Sequence, residues 1–322
     1  MANFSLLALL CLVLGLTAST TAAPQRRLKG SKPTQELDYA AMFEQEMTPE
    51  QARALQTIMS QESRPTVSGA AAERLKDFGH FASINYCGDA GQSRPCRAVP
   101  NARGCPRVRN ARIVRILQGG ASFGSNNIQN WLDVPHPYNW PYPRPPNAGD
   151  ISVHKGFTDV YNAIRSQVLS TVRELATANP DYTVVSTGHS LGGALATIAA
   201  VDLVGTNTVP ASRIELASFH SPRVGNSNLS SLVSRIGFRA IDRIVQDNDI
   251  VPSIPPRFLG YEHTVGEKYI MGSTMYSCQG TRTAAALAPG ALCFGAGAWS
   301  FLGVDMFFGR ALGMGCGNNN LV

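Results

Sequence analysis

Along the chain, runs of alternating or clustered β-branched residues give way repeatedly to runs with a helical repeat. Tyr182-Thr183-Val184-Val185-Ser186-Thr187 has the composition of a strand that packs on a pleated surface. Ala194-Leu195-Ala196-Thr197-Ile198-Ala199-Ala200, close behind it, is built of strong helix formers. Residues 157–178 carry Val160, Ile164, Val168, Val172 and Leu175 on one helical face. Residues 70–86 have helical periodicity as well. Residues 113–117 (Ile-Val-Arg-Ile-Leu) read as a strand stopped by Gly119-Gly120. Residues 214–219 and 240–245 read as two more short strands, with room for a short helix over 229–236 between them. Residues 130–146 are rich in proline and aromatics, and predict a loop with apolar surface. Helices alternating with short apolar strands predict an α/β fold whose central sheet is mostly parallel and flanked by helices.

The first residues follow a different pattern. An apolar run over residues 4–18, centred on Leu6-Leu7-Ala8-Leu9-Leu10, is short for a bilayer span and is followed by Thr21-Ala22-Ala23. It reads as a secretory signal peptide over residues 1–23, although no positive charge precedes it. Residues 24–66 open with Arg26-Arg27 and Pro33 and continue as a polar, acidic stretch. Thr48-Pro49-Glu50 is a helix-start signal within it. This segment reads as a propeptide or N-terminal extension, which leaves residues 67–322 as the main domain. Secretion leaves six cysteines, Cys87, Cys96, Cys105, Cys278, Cys293 and Cys316, in an oxidising compartment. They admit fifteen full pairings.

At 322 residues, 44% hydrophobic and 16% charged, the chain is long and apolar enough for a sizeable core. The net charge of +6 is dispersed apart from Arg26-Arg27-Lys29 and the stretch 103–115. No nucleic-acid motif accompanies those clusters, so they read as a solvated basic face. The apolar run 291–304 is short and followed by Asp305 and Arg310, which argues against a transmembrane segment. Cysteine and histidine spacings match no metal pattern, and nothing implies a cofactor.

The candidate chemistry sits at Gly188-His189-Ser190-Leu191-Gly192, between the strand and the alanine-rich helix. G-x-S-x-G at such a junction is a nucleophile elbow: the chain turns sharply, and the serine hydroxyl stands at the tip above a helix N-terminus. A serine needs a base, and the base needs an orienting carboxylate. Only His220 and His263 follow Ser190. Gln246-Asp247-Asn248-Asp249 follows the strand at 240–245, and His263 lies in a later loop. The required order of serine, acid and histidine is thereby met by Ser190, Asp247 or Asp249, and His263.

At these residues the chain resembles the class 3 (fungal-type) triacylglycerol lipases, over roughly residues 67–278. Gly188 to Ala194, Ser221-Pro222-Arg223-Val224-Gly225-Asn226 and Asn248-Asp249-Ile250-Val251-Pro252 are similar to three motifs of that family. The resemblance implies an α/β-hydrolase fold and favours Asp249 as the acid, with Asp247 in reserve. It assigns the base to His263 in Gly260-Tyr261-Glu262-His263, and leaves His154 and His189 as packing residues. It also implies oxyanion donors at the Leu191 N–H and at Ser125. A lid over residues 128–134 follows from it, containing Ile128 and Trp131. The disulfides it implies are Cys87–Cys278 and Cys96–Cys105. The expected activity is cleavage of carboxylic esters, foremost acylglycerols at a lipid–water interface. The alternatives are an esterase for soluble esters such as feruloyl esters, and a non-catalytic lipid-binding relative. Two places depart from the family pattern. Between residues 117 and 125 there is no room for both a strand and a hairpin, so either the strand ends at Gly120 or a strand is missing. His220 stands where a small residue is usual, and would crowd the core near the elbow.

Overall fold

A computed structural model of the chain describes residues 9–14, 65–84, 114–115, 117, 137–246, 249, 251–271, 273–278, 306–307 and 310–311. In chain order, β1 (Leu9–Leu14) is followed by α1 (Gly69–Ile84), β2 (Pro137–Asn139), β3 (Ser152–His154), α2 (Lys155–Asn162) and α3 (Arg165–Ala178). Then come β4 (Thr183–His189), α4 (Leu191–Gly205), β5 (Ile214–Phe219), α5 (Ser227–Arg235), β6 (Ala240–Gln246), β7 (Glu267–Met271) and β8 (Thr274–Ser277).

One sheet runs in the order β1-β4-β5-β6-β7-β8. Every neighbouring pair from β1 to β7 is parallel, and β8 closes the sheet antiparallel to β7. Both faces are covered, which is why β4 and β5 read as continuous rather than alternating apolar runs. Val184, Ile214 and Leu216 join the core beneath α2, α3 and α4. Val185, Ala217 and Phe219 join a second core with Leu75, Phe78 and Ala82 of α1. The pleat sends successive residues to opposite faces, so each strand feeds both cores. The expected α/β-hydrolase architecture is present.

Four sequence expectations are revised. The strand expected at 113–117 is not formed by its described members: Val114, Arg115 and Leu117 lie outside any strand. Arg115 instead donates to Thr171 Oγ1 at 3.0 Å and pairs with Glu174 on α3. The place beside β4 is taken by β1, whose residues the sequence assigned to a leader, in register from Leu9 opposite Thr183 to Leu14 opposite Gly188. The single helix expected over 157–178 is two, because Ile164 (φ −122°) leaves the helical region and settles against the core. The aromatic loop is less exposed than expected. Trp140 and Tyr142 are buried, packed edge to face at 5.0 Å between ring centroids, and among the described rings of this loop Tyr138 lies open, at 42%. At the start of the main domain, residues 65–67 lie along β8, with Val67 N–H on Met275 O and Ser277 N–H on Pro65 O, both at 2.8 Å.

The larger core encloses a charged group. Asp202 on α4 has no exposure; its Oδ2 accepts from the Tyr161 hydroxyl at 2.9 Å. Arg165 binds both of its oxygens at 2.8 and 2.9 Å, and lies over the Tyr142 ring at 4.8 Å. A buried carboxylate is tolerated only with such partners. Burial and the neighbouring carboxylate push the Tyr161 phenol well above its usual range, so it stays a donor. Asp202→Ala strands a buried tyrosine hydroxyl and a guanidinium. The expected loss is about 3 kcal/mol of unfolding free energy, read by urea titration.

Candidate active site

Ser190 stands between β4 and α4 with φ 54° and ψ −123°, a conformation that an L-residue adopts only at a cost of roughly 1–3 kcal/mol. Three backbone bonds hold it. Its N–H donates to Phe219 O at 2.9 Å, and its carbonyl accepts from Gly193 N–H at 2.9 Å and Ala194 N–H at 3.4 Å. Gly193 is required by close approach, since a Cβ there would stand 2.8 Å from Ser221 Cβ. Leu191 is the first residue of α4, so its N–H belongs to the turn that lacks intrahelical partners and faces developing negative charge.

The β4–β5 register pairs His189 with Phe219, which makes Ser190 and His220 the next positions on adjacent parallel strands. Sites of open α/β sheets form at such carboxyl ends. His220 also has a positive φ, 52°, and its side chain is fully buried. Its N–H donates to Ile244 O at 2.8 Å, tying it to β6. Its Nδ1 lies 2.5 Å from Asp249 Oδ2, while Asp249 Oδ1 accepts the Val251 N–H at 2.9 Å. Its Nε2 is buried and has no hydrogen-bond partner among the described residues. The crowding expected of a large residue at 220 is resolved by this bond to Asp249, and by a tilted contact with the His189 ring at 5.4 Å.

His263, which the sequence assigned as the base, is not brought to Asp249. Its Nε2 sits on the carbonyl of Pro252, and its own carbonyl accepts from Ser230 Oγ at 2.6 Å. The described partners of Asp249 are His220 Nδ1 on Oδ2 and the Val251 N–H on Oδ1. Burial holds His263 well below its ordinary pKa, and the guanidinium groups of Arg243 and Arg223 add to the effect, against the bond to Pro252. Ser190 and Asp249 stand where the sequence expected them, at the elbow and in the loop after β6. Asp247, Ser125, Ile128, Trp131, Cys87, Cys96 and Cys105 lie outside the described residues. Cys278 is disulfide-bonded. His154 stacks on Phe157 at 4.3 Å, the packing role expected of it.

Two buried arginines fix the loops around the site, and the sequence reading did not single them out. Arg223 Nη1 donates to the carbonyls of Ser253 and Pro255, the latter at 2.7 Å, while its N–H donates to Ile254 O at 2.8 Å. It thereby clamps the proline-rich segment that follows Asp249. Arg243 on β6 pairs with Glu267 at the start of β7 and donates to Thr264 O at 3.1 Å. The signal for Arg223 was its place in Ser221-Pro222-Arg223-Val224-Gly225-Asn226, and for Arg243 an arginine within an apolar strand. Among the described residues, no group of three His, Cys, Asp or Glu could hold a metal.

A mostly parallel sheet, a strand–serine–helix elbow and a buried carboxylate after β6 are the features of the α/β-hydrolase fold. Residues 121–259 match the family "Lipase (class 3)". It is 37% identical over 151 residues to a lipase of Rhizomucor miehei, covering 45% of this chain and 39% of that one. To the secreted mono- and diacylglycerol lipase 1 of Fusarium solani it is 34% identical over 152 residues, covering 47% and 43%. The chain thus spans about two fifths of the length of these curated relatives. Its fold matches the Rhizomucor miehei lipase propeptide complex with a TM-score of 0.63 at 23% identity, over 78% of this chain and 84% of that one. It matches the lipase of Rhizopus microsporus var. chinensis with 0.61 at 24% identity, over 79% and 92%.

The low pKa of His263 has a thermodynamic consequence. An unfolded chain protonates this residue near its ordinary value of 6.5, while the folded chain resists. Its contribution to stability is therefore complete above that pH and is lost as pH falls below it. Melting temperatures measured from pH 8 to pH 5 should drop, and His263→Gln, whose amide can still donate to Pro252 O, should flatten the drop.

Proposed function

We propose that the chain is a secreted carboxylic ester hydrolase that acts on acylglycerols at a lipid–water interface through an acyl-enzyme on Ser190. The observation that carries this reading is the strained Ser190 at the head of α4, one strand away from the buried His220–Asp249 pair. An imidazole takes the Ser190 proton as its oxygen attacks the ester carbonyl, and Asp249 stabilises the imidazolium. The alcohol then leaves, and water hydrolyses the acyl-enzyme. The Leu191 N–H is one oxyanion donor and Ser125 the second; residues 128–134, with Ile128 and Trp131, are the lid. The names of the relatives support this substrate class, two of the first being called secreted mono- and diacylglycerol lipases. Residues 1–23 are the leader, 24–66 a propeptide or extension, and Cys87–Cys278 and Cys96–Cys105 the disulfides.

A second reading, a lipid-binding relative without turnover, is favoured by one feature. The strand beside β4 comes from Leu9–Leu14 instead of from the segment that leads to Ser125.

Hydrolysis of short- and long-chain nitrophenyl esters, with Ser190→Ala as control, decides between the two. The proposal expects activity abolished by the substitution and a rate that rises once substrate exceeds its solubility. A folded protein with no activity fits the second reading, and a rate that saturates below solubility fits a soluble-ester esterase. The intact mass of the protein recovered from culture medium should correspond to a chain beginning at Pro24. A mass that includes residues 9–14 would make β1 a permanent strand and remove the leader.

A further inference from the structure

Asn228-Leu229-Ser230 is an acceptor triplet for N-linked glycosylation, Asn-x-Ser with x other than proline. The chain holds one other, Asn3-Phe4-Ser5, which lies in the segment read as a leader and would leave with it. A triplet of this kind is used only in an exported chain, and only where the folded protein leaves room for the sugar. Resting on the secreted reading, we propose that Asn228 carries an N-linked glycan, received during export from a lipid-linked oligosaccharide donor.

Room is the first ground. Asn228 is the second residue of α5 and is exposed, while Leu229 beside it is buried in the larger core. The helix thus turns the leucine inward and the carboxamide outward. A carboxamide nitrogen has two hydrogens. One is donated to Asp150 O at 2.9 Å, and the other has no partner among the described residues. Glycosylation replaces one hydrogen of that nitrogen, so the sugar takes the open position and the bond to Asp150 survives. The facing residue is Gly149, with φ 67°, where a Cβ would stand 3.8 Å from Asn228 Cγ and 3.9 Å from Nδ2. Glycine leaves that side of the amide uncovered, and the side chain of Asp150 is fully exposed.

Direction is the second. Asn226 caps α5, its Oδ1 accepting the Leu229 N–H at 3.1 Å, and its Nδ2 donates to the same Asp150 O at 3.0 Å. Two carboxamides on one carbonyl tie the start of α5 to the segment before β3, and fix the way the Asn228 side chain leaves the surface.

The third residue of the triplet sets the order of events. Glycosyl transfer requires the Ser230 hydroxyl, yet in the folded chain that residue is buried and its Oγ donates to His263 O at 2.6 Å. Transfer therefore precedes the docking of α5 on the loop that carries His263. In the transfer, Asn228 Nδ2 bonds to the anomeric carbon of the sugar. The bond from that carbon to the donor's diphosphate oxygen breaks, and an Nδ2 proton is given up as the diphosphate leaves.

The test uses the full chain, expressed in a eukaryotic secretion host and recovered from the medium. Its intact mass should exceed that of the polypeptide by a glycan, and the mass of the chain from Pro24 should be reached only after treatment with peptide N-glycosidase. Treatment in heavy-oxygen water, followed by a peptide map, should convert Asn228 to labelled aspartate. Asn228→Gln should abolish the mass difference, and Ser230→Thr, which keeps the acceptor pattern, should retain it. A secreted wild type with bare Asn228, or a mass difference that survives Asn228→Gln, overturns the proposal alone. A chain found only inside the cells removes the secreted reading and the proposal with it. The peptide map of the unaltered protein gives the answer even if a variant does not fold.

Discussion

The bond from Ser190 N–H to Phe219 O holds the site together. It continues the β4–β5 ladder one step past the end of the strand, at a residue whose φ is positive. Without it nothing on the strand side would keep Ser190 out of the ordinary extended conformation, and α4 would start elsewhere. The same bond fixes the height of Ser190 relative to His220, and the bond from His220 N–H to Ile244 O passes that reference on to β6. Ser190 and His220 are thus set by a backbone ladder that crosses three strands, and Asp249 follows in the loop after β6.

The loops obey a different constraint. The segments around residues 253–255 and 264–266 lie outside the sheet's strands, yet they carry or neighbour the groups that matter. Arg223 and Arg243 replace the ladder with guanidinium donors aimed at backbone carbonyls and one buried carboxylate. A planar fork with several donors suits this task, because it binds two carbonyls of one segment from a fixed direction. Burying such charges costs free energy unless the partners are well placed, so the loops are held firmly or not at all.

Much of this was legible in the sequence because it was local. β4 and α4 with the serine between them, and the acid after β6, follow from periodicity and from the glycine spacing that a sharp turn needs. The partner of Asp249 was not legible. His220 and His263 are both downstream histidines, and their difference lies in register, which chain order does not encode. Likewise Ile113-Val114-Arg115-Ile116-Leu117 has strand propensity, but Arg115 finds Thr171 and Glu174, and Leu9–Leu14 pairs with β4. Propensity says what a segment is able to be; the ladder next to it decides what it becomes.

That pairing gives six residues two claims upon them. In the proposed reading they are an apolar leader, presented unpaired to an export machinery; as β1 they bond along β4 from Thr183 to Gly188. Under that proposal folding and export compete for one segment. A chain that closes its sheet early hides its own address, and one that is exported and trimmed arrives with the edge of its nucleophile strand bare, open to whichever extended segment reaches it first.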